Sequence, residues 1–506
     1  MSFLSIDVGS SRCKAALFSA SGEMLGMRSA AFVPDFPRPA YAELNANNFL
    51  AVVMALAQEL TALPQTEPLQ AVCLSSHGET LIPATANGQA VGPAILNMDV
   101  RAAREASWIE EQIGRRQLFM LTGHTSHPMY TTPKLVWLRR NAREVFEGAG
   151  RFLSVTSFLL MQLGLPPLID YSHAARFMAL DVRRLTWSAE ILSIVEISPD
   201  ALPIPVQAGT LAGVLDSTAA AMLGVVVGTP VVVGGHDQVI GAIGLGVIAK
   251  GRAAGSLGTY ECITVASDEL FLNDAALQAS LNCYPHAVPG QYVTIAYFPS
   301  GIMMQWLGEI LYGAKRETEQ DHRLFADLEL GAPAGPTELV ITPHLIGTCN
   351  PEFDSHARGA ITGLGFDTTR ARLYKGIQEG IASELSILTR CLEDAGCSFD
   401  DVNVFGGGVR SPLGMRLRAS LTKKRLHIMS CQEAVCLGGT MLASVAVGTY
   451  HDLGEAARAM VREQDCVHPD LLLAAQYRSQ VERYRQLRSM LVHPHHQELQ
   501  HTGEQA

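Results

Sequence analysis

The sequence predicts an α/β protein of two similar lobes. Strand and helix patterns alternate along the whole chain, as α/β proteins require. A strand, Gly/Ser turn, strand unit over Phe3–Leu17 returns about 250 residues later over Gly255–Val265. A chain of 506 residues that is 48% hydrophobic has material for buried cores in about two to four domains.

In the first hairpin, Ser5-Ile6-Asp7-Val8 runs into Gly9-Ser10-Ser11 and on to Lys14. Glycine in a tight turn lets backbone N–H groups approach an anion, and neighbouring hydroxyls add donors. Gly258 and Thr259 repeat the device in Ser256-Leu257-Gly258-Thr259. Two such hairpins facing each other could grip both ends of a polyphosphate, which points to a nucleotide between the lobes.

Val72–Ile82 and Ala94–Arg101 each run a strand into a polar cluster, as a hydroxyl-rich small molecule would need. Unmatched hydroxyls cost binding, so His77, Glu79 and Asp99 are candidate substrate-binding residues. Asp99 with Arg101 reads equally as a surface pair or turn. Further on, Pro230-Val231-Val232-Val233-Gly234-Gly235-His236-Asp237-Gln238 is a buried strand that delivers a carboxylate at its C-terminal edge, where open α/β sheets bind ligands. Asp237 there suits a general base taking a proton from a hydroxyl that attacks phosphorus. The plainer expectation is an N-cap for a helix over Gln238–Gly246. His236 is either a packed strand-end residue or a second polar contact to substrate.

Gly246–Gly251 marks the lobe boundary, giving a first lobe over 1–247 and a second over 248–491. The clearest helix is Arg370–Leu392, with Leu373, Ile377, Ile381, Leu385, Leu388 and Leu392 on one face and Gly396 as its stop. Strand Val402–Phe405 then meets Gly406-Gly407-Gly408 and Ser411, where a flat ligand face could lie on backbone, although three glycines also simply make a loop. Gln476–Leu491 reads as a closing amphipathic helix. Residues 492–506 form a polar tail with four histidines, expected to be a solvated end, since no Cys or acidic cluster joins them as metal ligands.

A net charge of −11 argues against a nucleic-acid or acidic-membrane binder. The N-terminus lacks the pattern of a signal peptide, and the apolar run Gly224–Val233, broken by Gly228 and Pro230, is too short to span a bilayer. Ten scattered cysteines without a Cys-x-x-Cys pair suggest reduced thiols and a cytoplasmic protein. Cys13 reads as a small buried hydrophobe rather than a reactive thiol.

Asp7-Val8-Gly9-Ser10-Ser11 with Lys14, then Gly234–Gln238, Ser256–Thr259 and Gly406-Gly407-Gly408 with Ser411, in this order, resemble the FGGY carbohydrate kinases. That family, which includes xylulokinase, glycerol kinase and ribulokinase, has two ribonuclease-H-like lobes of the actin/hexokinase-like ATPase type with a nucleotide cleft between them. The similarity runs from about residue 3 to about residue 490 and takes in Tyr41-Ala42-Glu43, Lys134–Leu138, Asp170-Tyr171-Ser172, Pro299-Ser300-Gly301 with Trp306, and Ala357-Arg358-Gly359. It implies ATP and Mg2+ as cofactors, with Asp7 holding the metal through water. Gly9, Ser10, Ser11 and Lys14 match the first phosphate hairpin, and Gly258 and Thr259 the second. Gly407, Gly408 and Ser411 match the adenosine pocket, and Asp237 the catalytic base. Glu79 falls where glycerol kinases place a substrate-binding Glu and xylulokinases a His.

The implied activity is ATP-dependent phosphorylation of a hydroxyl on a small sugar or polyol: a ketopentose such as xylulose, or a related ketose or polyol. The alternatives are a glycerol- or erythritol-type polyol kinase and a non-sugar actin-fold ATPase. Xylulokinases show Ser-Gly-Gln-Met-His-Gly where this chain has Ser75–Thr80. Glycerol kinases show Arg before the Glu; here Gly78 leaves room that an arginine would fill, compatible with a longer substrate than glycerol. Arg416, Ala419 and Ser420 depart from the family's frequent Gln…Ala-Asp. Dimers are common among proteins resembling this one.

Overall fold

A computed structural model describes residues 1–63, 68–313 and 319–492; the histidine-bearing tail from 493 onward lies outside the described residues. Two separate sheets dominate. The first contains β1 (Ser2–Val8), β2 (Arg12–Ser19), β3 (Met24–Ala31), β4 (Leu69–Ser76), β5 (Leu211–Val214) and β6 (Pro230–His236), in the order β5-β6-β4-β1-β2-β3. β1, β2 and β3 form an antiparallel meander, while β4 lies parallel to β1 and β6 parallel to β4.

The second sheet contains β7 (Gly251–Leu257), β8 (Tyr260–Ser267), β9 (Asn282–Pro285), β10 (Tyr292–Pro299), β11 (Phe399–Phe405), β12 (Arg425–Met429) and β13 (Glu463–Val467), in the order β9-β10-β8-β7-β11-β12-β13. Its inner strands repeat the first plan: β7, β8 and β10 are an antiparallel meander, and β11 and β12 run parallel outward from β7. The two hairpins noticed in the sequence are thus corresponding corners of a duplicated five-strand unit.

Strands covered on both faces must be apolar almost continuously. Ile6, Val8, Val72, Leu74, Val231 and Val233 pack to one side of the first sheet, under Phe49, Val53, Leu56 and Leu60 of α1 (Asn47–Thr61). Phe3, Ala71, Cys73 and Val232 face the larger core on the other side. In that core two helices meet. α2 (Asp237–Gly244) follows β6, and α4 (Ala434–Ala446) follows β12, so they occupy equivalent places in the two repeats. Between them in the chain lies α3 (Arg370–Asp394), capped by the Thr369 side chain and stopped before Gly396 at φ +106°.

The α2–α4 contact is made by backbone. A Cβ on Gly244 would overlap the Ala434 carbonyl, and one on Gly438 would overlap the Ile240 carbonyl. α4 also packs on β1 and β4, where a Cβ on Gly439 would overlap the Ser5 hydroxyl. A helix from the C-terminal half is therefore seated on the N-terminal sheet.

One local expectation changes. The helix after β6 begins at Asp237 with His236 as its cap residue, so Asp237 stands in the first turn and is not the N-cap. Gly438→Val should lower the denaturant midpoint by an amount equivalent to about 1–3 kcal/mol or more, the usual cost of overpacking. Gly148→Ala, at an exposed glycine with nothing around it, is the neutral control. Equal midpoints for both would show that the two helices part without cost.

Candidate active site

Asp7 and Lys14 are partners across the first hairpin, whose turn is closed by the Gly9 N–H donating to the Arg12 carbonyl at 3.0 Å. In the second hairpin the Gly258 N–H donates to the Tyr260 carbonyl at 3.1 Å. The Lys14 ammonium pairs with Glu433, the residue before α4, at 2.6 Å, so the first hairpin is tied to the C-terminal half. Burial pushes the Asp7 carboxyl well above the usual carboxylate range; facing Asp237 adds to the effect and Lys14 opposes it. Among the described residues, the buried Asp7 Oδ1 accepts no hydrogen bond. Beside it Cys13 is wholly buried, with its thiol pushed up, the inert state expected for it.

Asp237 stands at the C-terminal end of β6 with 22% of its side chain exposed. Its Oδ1 accepts from the Gln238 N–H at 2.6 Å and lies 3.3 Å from His236 Nε2. Burial and then the neighbouring Glu79 push its carboxyl up to about 7, opposed by the Gln238 hydrogen bond and by Arg176.

Glu79 sits just after β4 in the left-handed region, φ +66°, a conformation that concentrates at functional sites. The loop is held there by Lys134, whose ammonium donates to the Glu79 and Leu96 carbonyls at 2.9 and 2.8 Å. The Glu79 carboxylate pairs with Arg176, which follows the short helix Tyr171–Ala175; Asp170 caps that helix through the Ser172 and His173 N–H groups. Arg176 Nη1 donates to Asn282 Oδ1 on β9 at 3.1 Å. Its guanidinium is flanked by the Tyr130 and Tyr284 rings, 5.0 and 5.7 Å to their centroids. Asn282 also accepts from the Tyr130 hydroxyl at 2.8 Å, and the Tyr284 hydroxyl bonds His236 Nδ1 at 3.1 Å. One buried network therefore runs from Glu79 to the cap of α2 through groups from both sheets.

Sequence reasoning missed Arg176, Tyr130, Asn282 and Tyr284. Only Asp170-Tyr171-Ser172, six residues upstream, hinted at Arg176.

Three substrate-site expectations are corrected. His77 is buried with both ring nitrogens engaged, Nδ1 with the Val8 carbonyl at 2.8 Å and Nε2 with the Thr80 hydroxyl at 2.6 Å, so it fastens the loop to β1 instead of facing substrate. Asp99 is wholly buried and both its oxygens are taken, by the Ala42 N–H and by Arg101. It orients Arg101, which is itself buried, pairs with Glu43 at 2.7 Å and lies 3.8 Å over the Tyr41 ring. The room expected beside Gly78 is already filled: a Cβ there would meet Arg176 Cγ at 3.0 Å and His236 Cδ2 at 3.1 Å.

A cavity of about 600 Å³ opens on the second lobe, lined by Gly258, Thr259, Gly407, Gly408 and Ser411 together with Met304, Phe325, Tyr374 and Arg418. It brings the second hairpin and the triple glycine to one space, with Met304, Phe325 and Tyr374 among its walls. The Ser411 hydroxyl donates to Glu329 at 2.7 Å and accepts from the Gly414 N–H at 3.0 Å, which holds the rim of the cavity in place.

Two duplicated sheets, each with a glycine hairpin at the corresponding corner, define a two-lobed α/β protein. The chain belongs to the FGGY family of carbohydrate kinases, whose N-terminal domain matches residues 2–244 and whose C-terminal domain matches residues 253–447. A xylulose kinase of Bacillus subtilis is 24% identical, with 96% of each chain covered. An autoinducer-2 kinase of Escherichia coli is 26% identical, covering 92% of this chain and 90% of its own. The crystal structure of a gluconate kinase from Lactobacillus acidophilus superposes with a TM-score of 0.89 at 25% identity, over 97% of this chain and 98% of that one. The protein is a sugar kinase that uses ATP as phosphate donor and takes a small-molecule sugar as acceptor. Among the described residues, no helix is long and apolar enough to cross a membrane.

Proposed function

We propose that this kinase phosphorylates a hydroxyl of a ketopentose such as xylulose, or of a related ketose or polyol, with Asp237 as general base. The observation that carries this is the placement of Asp237: a strand-end carboxylate, partly exposed, with raised proton affinity, next to Glu79 and across from Asp7. The acceptor hydroxyl gives its proton to Asp237 as its oxygen bonds to the γ-phosphorus, and the bond from that phosphorus to the bridging oxygen of ADP breaks. Gly9, Ser10, Ser11 and Lys14 on one side, and Gly258 and Thr259 on the other, hold the phosphates with backbone and side-chain donors. Gly407, Gly408 and Ser411 receive the adenosine in the cavity. The setting fits a cytoplasmic enzyme.

Asp7 fits a divalent cation, because among the described residues its buried Oδ1 has no donor and Asp237 and Glu433 add negative charge that Lys14 only partly offsets. Mg2+ bound there would neutralise phosphate oxygens. A polyol kinase of the glycerol or erythritol type is the alternative. It is favoured by one observation, that Glu79 faces an arginine, here supplied by Arg176 from a distant segment.

Asp237→Ala should fold, keep its KM for ATP, and lose about 10²–10⁴ in kcat, the usual worth of a general base. Near-normal turnover in an ADP-release assay would remove Asp237 from the chemistry. Because the base works only when ionised and its carboxyl is pushed up to about 7, kcat/KM for the acceptor should fall about tenfold per pH unit below neutrality. A profile that is flat from pH 5.5 to 8 would contradict this. Asp7→Asn should need far more Mg2+ to reach its maximum rate; an unchanged titration would make Asp7 a structural turn residue.

A further inference from the structure

We infer that Arg176 determines acceptor specificity: with Glu79 it forms a preformed pair that accepts an uncharged sugar or polyol carrying adjacent oxygens and refuses sugar acids. The inference rests on the proposed acceptor site and specifies which class of compound fills it.

A guanidinium taken out of water is costly unless its donors and charge are matched, so its presence calls for a use. Arg176 has 5% of its side chain exposed, and Glu79 has 4%. Of the five N–H groups of a guanidinium, Nε and Nη2 address Glu79 Oε1 and Nη1 addresses Asn282. With the Tyr130 and Tyr284 rings beside the cation, only its edge remains for further bonds. Among the described residues, Glu79 Oε2 accepts no hydrogen bond. The pair thus offers an acceptor oxygen next to donor N–H groups, the complement of a hydroxyl beside a second oxygen.

Charge decides the class. Asp7, Glu79 and Asp237 bring three carboxylates to this region, and the charges of Glu79 and Arg176 both act on Asp237. Arg176 is already matched by Glu79, Lys14 by Glu433, and the Lys134 ammonium points to two carbonyls. A sugar carboxylate would therefore find Arg176 and Lys14 already paired with carboxylates and the Lys134 ammonium already engaged by two carbonyls. Space acts in the same direction: Arg176 Cβ and Cγ and the His236 ring close the volume above Gly78, so the far end of the acceptor is bounded.

The test measures ADP release by the full-length protein with D-xylulose, erythritol, glycerol, D-fructose and D-gluconate, for wild type, Arg176→Met, Glu79→Gln and the double variant. Thermal melting and KM for ATP check each fold. Wild type should use one or more neutral acceptors and not gluconate. Arg176→Met should raise KM for the preferred neutral acceptor about tenfold or more, with KM for ATP unchanged. The double variant relieves the unpaired Glu79 charge and should remain folded, yet keep the raised acceptor KM. A double variant with wild-type acceptor KM and ranking would overturn the inference, since Arg176 would then serve only to neutralise Glu79. Gluconate as the best wild-type acceptor would overturn it too, while leaving the kinase standing. Silence of wild type on every acceptor would instead strike the proposed acceptor site itself, and the inference with it.

Discussion

The architecture depends on the close approach of α2 and α4. Two helices whose backbones touch at Gly244 and Gly438 have no side chains between them to slide or repack, so their spacing is fixed by carbonyl oxygens. The active-site geometry inherits that spacing. Asp237 is the first residue of α2, and Glu433, which holds Lys14 of the first hairpin, directly precedes α4. Asp237 and the first hairpin, which lie far apart in the chain, are thereby positioned by one glycine contact.

Burial then supplies the electrostatics. Asp7 and Asp237 face each other with too little water to screen them, and each carboxyl binds its proton more tightly than it would in solvent. Lys14 on one side and the Gln238 N–H and Arg176 on the other offset the repulsion only in part. Around Glu79 the charges are paired instead, with Arg176, Asn282 and two tyrosines joined in one network. One half of the site is left wanting charge, and the other is already neutral.

What was legible in the sequence shares a physical cause. The hairpins, the strand ending in Asp237 and the triple glycine all need special backbone, and special backbone leaves glycines at fixed offsets. The duplicated sheet followed from the same hairpins, and α3 from its 3.6-residue period. The Asp99–Arg101 pair was one of the two readings open in the sequence, although not its burial; the Val8 carbonyl that holds His77 and the Ala42 N–H that holds Asp99 are backbone groups that no side-chain pattern reveals. Arg176 and Asn282 were invisible for another reason. They meet across 106 residues and between two sheets, so neither segment contains a local mark of the contact. The space beside Gly78 was misjudged likewise, since a missing side chain tells nothing of what a distant one fills.

The bond from Arg176 to Asn282 has a bearing on turnover. Asn282 belongs to β9 of the second sheet and Arg176 to the first half of the chain. If the lobes part after transfer, the carboxamide leaves the guanidinium and takes the Tyr284 edge of the wall with it. The phosphorylated product would lose its enclosure in the same movement that uncovers ADP. The strand that carries Asn282 is also bonded to the first half by backbone, Cys283 N–H to the Gly123 carbonyl at 2.9 Å, so this seam joins the two halves beside Glu79 as the glycine contact joins them beside Asp237.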